Sequence, residues 1–269
     1  MILRDRSRWI LSTVWVVLFL VSGPILLDYA NHIATQSWAW YVLAFLPITP
    51  LAISMTPVRK PRIIGAILLV TLGATLETVA MASASLGLGR IGFVLAATAI
   101  LLLQGRASVR TTVLLVLCVP IPHWILERLG ETLLPQLAQI LATVSRWSGT
   151  PALAIGTQVE TSASIFELDA TDVGWTAAVL AFGLTWFACL CFKVTIRRSI
   201  LAAALIAIGG VLGHALITIS IFHLSTSTDP SALRLGRDLL SYTLVLLGVG
   251  IASVWLIRLA DTGRIPRSH

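Results

Sequence analysis

Apolar runs of about 18 residues or more recur along this chain, and short connections between them hold most of its charge. They cover residues 9–27, 39–55, 63–82, 91–103, 111–125, 173–192, 199–222 and 239–257. A helix of about 20 such residues matches the ~30 Å hydrocarbon thickness of a bilayer. The chain is 57% hydrophobic and 12% charged, where soluble domains carry roughly 25% charged residues. One aqueous core does not hide that much apolar surface in 269 residues. The expectation is an all-α membrane protein of about eight transmembrane helices. The fourth and fifth runs are short, and their true ends are expected outside these limits. Prolines interrupt the first run at Pro24, the second at Pro47 and Pro50, and the fifth at Pro120 and Pro122. Membrane helices tolerate them when neighbours or 3₁₀ turns satisfy the freed carbonyls. Arg4, Arg6 and Arg8 precede the first run as in a signal peptide, but no A-x-A-like cleavage site follows it. A retained first helix is expected.

Lys and Arg in the short connections set orientation. With the N-terminus inside, the cytoplasmic side holds Arg4, Arg6, Arg8, Arg59, Lys60, Arg62, Arg106, Arg110, Lys193, Arg197, Arg198, Arg258, Arg264 and Arg267. The other side holds only Arg90, Arg128, Arg146, Arg234 and Arg237. Both termini are therefore expected in the cytoplasm. The same clustering sets aside a nucleic-acid role for the net charge of +7, since no contiguous basic face is evident.

The connection from 126 to 172 is long. Ile125, Leu129, Leu133, Leu134, Leu137, Ile140, Leu141 and Val144 recur at helical spacing, with Glu127, Arg128, Glu131, Gln136 and Gln139 between them. This predicts an amphipathic helix along the outer interface, ended by Gly149-Thr150-Pro151. Residues 157–168 alternate roughly between polar and apolar, which predicts a short hairpin.

Ionisable groups at membrane depth are costly, so each is a candidate site. Glu77 lies in the third run, where snorkelling or pairing with a neighbouring helix would also account for it. His214 and His223 in the seventh are nine positions apart and do not share a helix face, so together they make no metal site. Glu167, Asp169, Asp172, Arg237 and Asp238 flank the outer ends of the sixth and eighth runs, and with His214 and His223 they form a candidate polar mouth. Three carboxylates within six residues can raise one another's pKa as acid–base sites need, or form a solvated rim. Cys118, Cys189 and Cys191 sit in apolar stretches and read as buried, inert thiols. No metal or cofactor is expected, and no nucleophile-elbow, zincin or P-loop motif occurs.

One set of segments resembles a known family. Val119-Pro120-Ile121-Pro122-His123-Trp124, Gly156-Thr157-Gln158-Val159, Ile165-Phe166-Glu167-Leu168 and Gly236-Arg237-Asp238-Leu239-Leu240-Ser241-Tyr242 follow in the order and spacing of the exosortase/archaeosortase family. These are polytopic transpeptidase-like enzymes that process proteins bearing C-terminal sorting signals. The resemblance covers roughly residues 110–258. It implies a division into a four-helix membrane region (1–110), an exosortase-like membrane region (111–260) and a cytoplasmic tail (261–269), in a bacterial inner membrane. The family's catalytic cysteine falls on Asp172, its N-x-x-R arginine on Ile217 and its histidine on Arg237, with His214 at the asparagine of that motif. A carboxylate beside a guanidinium does not replace a thiolate and a proton shuttle, because the arginine stays protonated.

Three functions then compete. The first is a non-catalytic exosortase-like subunit of a membrane assembly, in contact with membrane lipid and with a membrane-protein partner or its C-terminal tail. The second is a peptidase- or transpeptidase-like enzyme with an altered Asp/His/Arg site. The third is a small-solute transporter built around Glu77 and the broken helices.

Overall fold

The computed structural model describes residues 41–83, 86–119, 123–147, 149–162, 165–224 and 239–251, with residue 236 and scattered positions between 16 and 31. The first apolar run therefore lies mostly outside the described residues. The chain is mostly helical and divides into two compact units, Met1–Pro120 and Ile121–His269.

In the first unit, α1 spans Tyr41–Met55, α2 Ile63–Ser83, α3 Leu86–Leu103 and α4 Val109–Leu117. The fourth run is longer than its apolar core, starting at Leu86 where the sequence suggested 91. Helices α2 and α3 pack most extensively, and glycine makes this possible. A Cβ on Gly73 would stand 2.8 Å from the Gly92 carbonyl oxygen, and one on Gly92 would stand 2.7 Å from that of Gly73. The two backbones touch, as small residues permit in membrane helices. The Ala-rich face of α3 (Ala96, Ala97, Ala99) is buried.

The connections before α2 and after α3 run side by side. The Arg59 N–H donates to the Gly105 carbonyl at 2.8 Å, and Arg106 Nη1 donates to the carbonyls of Ile53 and Ser54, closing the end of α1. Ser108 caps α4 reciprocally. Its Oγ accepts from the Thr111 N–H, and Thr111 Oγ1 accepts from the Ser108 N–H.

The fifth run does not form one helix. Helix α4 stops at Leu117 and the next helix begins at His123. Nine helical residues rise only about 14 Å, half a bilayer. Pro120 and Pro122 lack N–H groups and bias the residues before them toward extended backbone, which breaks the run. The division into compact units falls at this break, ten residues later than the sequence suggested.

In the second unit, α5 spans His123–Trp147. The amphipathic helix exists, and most of its described apolar stripe is covered by the protein itself, with Ile140 left exposed. Leu134, Ala138, Leu141 and Ala142 are buried against Val159, Leu168, Val173 and Phe222. The protein's own sheet fills the place given to the bilayer. After α5 the chain turns at Gly149 (φ +87°), with the Thr150 N–H donating to the Ser145 carbonyl.

The predicted hairpin is part of a three-stranded antiparallel sheet of order β1-β2-β3, with β1 at Ala152–Ile155, β2 at Gln158–Thr161 and β3 at Ile165–Glu167. Ile155 pairs with Gln158 across the two-residue turn Gly156-Thr157, where Gly156 has φ +60°. Val159 pairs with Phe166. Alternation then sends Ala152, Ala154, Val159 and Phe166 toward α5, with Leu153, Ile155 and Ile165 outward.

A 3₁₀ turn at Ala170–Val173 leads to α6 (Trp175–Cys191), α7 (Ile196–Leu224) and α8 (Leu239–Ile251). Two helices, Ile63–Ser83 and Ile196–Ser220 within α7, are long and apolar enough to cross a membrane, and α1, α3, α6 and α8 are shorter apolar helices. Only 11% of the apolar window of α7 is buried within the chain, so Leu205, Ile208, Leu212 and Leu216 point outward. A soluble core helix would cover those side chains.

Candidate functional site at the start of α6

The sequence-derived site residues are distributed unevenly. Glu167 ends β3 and is exposed, Asp169 is half-buried, and Asp172 is fully buried. The three carboxylates thus share neither one environment nor one solvated rim. The 3₁₀ turn folds Asp172 inward. Its Oδ2 accepts from the Asp169 N–H at 2.7 Å, and its own N–H donates to the Asp169 carbonyl. These two bonds hold the turn closed.

Gly174 follows with φ +82°, a conformation L-residues other than glycine avoid. A Cβ there would stand 2.8 Å from Cβ and 2.9 Å from Cγ of His214. The left-handed turn thus lets the start of α6 rest directly on the histidine of α7. Lower on the same helices, a Cβ on Gly210 would stand 3.1 Å from the Ala177 carbonyl oxygen, so α6 and α7 are close throughout.

His214 is buried, and its Nδ1 lies 2.8 Å from Ser241 Oγ on α8. The Thr218 hydroxyl donates to the His214 carbonyl. Nδ1 of the imidazole and the hydroxyl of a neighbouring apolar helix thereby partner each other. They line one end of a cavity of about 270 Å³ whose other walls include Ile206, Gly209, Gly213 and Leu244. Ser241 was not singled out from sequence. The available signal was that a histidine inside an apolar helix requires a polar partner on a neighbouring helix.

Ile217, at the family's arginine position, is half-buried on α7. His223 belongs to α7, with its side chain outside the described residues, and Arg237 and Asp238 lie outside them altogether. The Asp172–Arg237 contact stays an inference from sequence. Among the described residues no three His, Cys, Asp or Glu side chains gather as a metal site would.

All three cysteines are free thiols. Cys189 and Cys191 lie at the far end of α6, about 21–24 Å along the helix from its first residue, Trp175, at ~1.5 Å per residue. Cys118 lies after α4, its Sγ 3.2 Å from Thr49 Oγ1 in the first unit.

Glu77 belongs to a different polar cluster, in the first unit. The Ser22 hydroxyl donates to its Oε1 at 3.0 Å, and both residues are buried. It does not snorkel. Nearby in sequence on α3, Arg90 pairs with Asp28 at 2.5 Å, the arginine side chain 10% exposed and the aspartate 28%. Removing one member of a buried pair strands the other charge. Asp28→Ala is expected to destabilise the first unit by about 3 kcal/mol, read as an earlier midpoint in detergent-based unfolding. Asp28→Glu is expected to recover most of that loss.

No family model, curated protein or solved structure matches this chain.

Proposed function

We propose that this chain is an integral membrane protein of about eight crossings with both termini in the cytoplasm of a bacterium, and that its exosortase-like region acts as a non-catalytic binding or structural subunit of an inner-membrane assembly. The partners are membrane lipid and a second membrane protein or its C-terminal tail, with no cofactor.

The observation that carries this reading is Asp172. The residue at the position of the family's thiol is a fully buried carboxylate, held by the backbone of its own turn. A nucleophile must reach its electrophile and bring a base within hydrogen-bond distance. Asp172 is enclosed, and the chain's thiols are elsewhere. His214, which Gly174 rests on, is engaged with a hydroxyl of α8.

The test is mild detergent extraction of the tagged protein from its native membrane, followed by identification of what co-purifies, in parallel with genetic complementation. A membrane protein recovered in stoichiometric amount, and a deletion phenotype rescued fully by Asp172→Asn, are the expected results. A protein recovered alone, whose complementation is lost in Asp172→Asn at normal expression, would overturn the subunit reading in favour of an altered active site.

A further inference from the structure

Most of the apolar stripe of α5 is covered within the protein, yet the sheet against it turns Leu153, Ile155 and Ile165 outward, on the same face as Gln158, Glu160 and Glu167. Leu153 is 59% exposed, Ile155 51% and Ile165 66%. The register brings them together, since Glu160 pairs with Leu153 on one side and with Ile165 on the other. Trp147, the last residue of α5, is 83% exposed. Three large aliphatic side chains left open on so small a sheet call for a cover.

We propose that this outward face lies in the interfacial layer of the bilayer and anchors the sheet there. The first reason is its tether. Only residues 168–174 separate β3 from the first residue of α6, at most about 25 Å of extended chain, so the nearest apolar phase is the membrane that α6 enters. The second is residue type. An exposed tryptophan at a helix end, followed in the chain by exposed aliphatic side chains, is a usual composition of a membrane–water boundary. The third is charge. Arg146 and Glu160 line an open cleft of about 550 Å³ next to Leu153, offering a cation to a phosphate and an anion to an ammonium. That pairing suits a zwitterionic phospholipid headgroup. The inference rests on the membrane-spanning reading of α6 and α7 given above.

The experiment places single nitroxide labels on the full-length protein in phosphatidylethanolamine–phosphatidylcholine vesicles, after replacing Cys118, Cys189 and Cys191 with alanine. Labels go at Leu153→Cys, Ile155→Cys and Ile165→Cys. Glu131→Cys on the polar face of α5 is the aqueous reference, and Leu212→Cys on α7 is the lipid reference; both parent side chains are exposed. Collision with oxygen is compared with collision with a water-soluble nickel chelate. The expected oxygen-to-nickel ratio at 153, 155 and 165 is several-fold above that at 131 and below that at 212. Ratios at the aqueous reference value overturn the proposal. Poor access to both probes also overturns it, and points to a second copy of the chain covering the face. If position 212 itself reads as aqueous, the membrane-spanning reading fails instead, so the two failures are told apart.

Discussion

Gly174→Ala is expected to cost about 4 kcal/mol and to separate α6 from α7 at the site. Two effects add. A left-handed conformation costs an L-residue about 1–2 kcal/mol, and the φ at 174 is +82°. The new methyl also overlaps His214, at 2.8 Å from its Cβ and 3.0 Å from its Cδ2. A flexible side-chain tip could swing away from such a contact, but a Cβ is fixed to its helix. The measurement is unfolding in mixed micelles of a denaturing and a mild detergent, with Gly174→Ala, His214→Ala and the double variant forming a cycle. The double variant is expected to recover the ring overlap only, leaving the backbone strain and the Cβ contact. Strict additivity of the two single effects would show that Gly174 and His214 do not press on each other.

Gly105→Ala is expected to be more damaging still, with a loss of about 5 kcal/mol that prevents recovery of monodisperse protein. Here φ is +67° and the added Cβ would stand 2.0 Å from the Arg59 carbonyl oxygen and 3.1 Å from its nitrogen. The obstacle is backbone, so no rotamer relieves it. The same crossing carries the Arg59 N–H to Gly105 carbonyl hydrogen bond, and the shift needed to admit a methyl would break it. Gly105→Asn relieves the left-handed strain but not the overlap, and is expected to fail as well. Size-exclusion profiles of the three proteins in the same detergent check this. A Gly105→Ala peak of parental height and position would refute the packing argument.

Outside the helices, different parts of the sequence carried unequal information. Apolar runs located α1, α2, α6 and α7 nearly to the residue, because a run with no polar interruption leaves a helix as the way to satisfy its backbone in an apolar surround. The stripe on α5 was equally legible, since period 3.6 needs only local side chains. Strand β1 was missed. Ala152 to Ile155 is wholly apolar, so no alternation marks it, and only pairing with β2 reveals that alternate residues face opposite ways. The fifth run was misjudged because its prolines, Pro120 and Pro122, were expected to be tolerated within one helix, whereas α4 ends at Leu117.

The candidate site was half legible. Sequence order brought Asp172 and His214 into one group, and the left-handed Gly174 joins their two elements physically. The burial of Asp172 and the Ser241 partner of His214 were not legible, because they depend on which faces of α6, α7 and α8 meet. The same holds in the first unit, where the Ser22 to Glu77 bond crosses 55 residues.

The sequence by itself determined that this chain is built of apolar helices, which of its residues are costly to bury, and that its thiols sit in apolar segments. Those properties follow from residue type and local period. The tertiary structure alone decided what each costly group meets, and that most of the stripe of α5 belongs to the protein rather than to lipid. Partners for buried polar groups come from other helices, and a hydrophobic face is satisfied equally by side chains or by lipid, so local sequence does not distinguish the two.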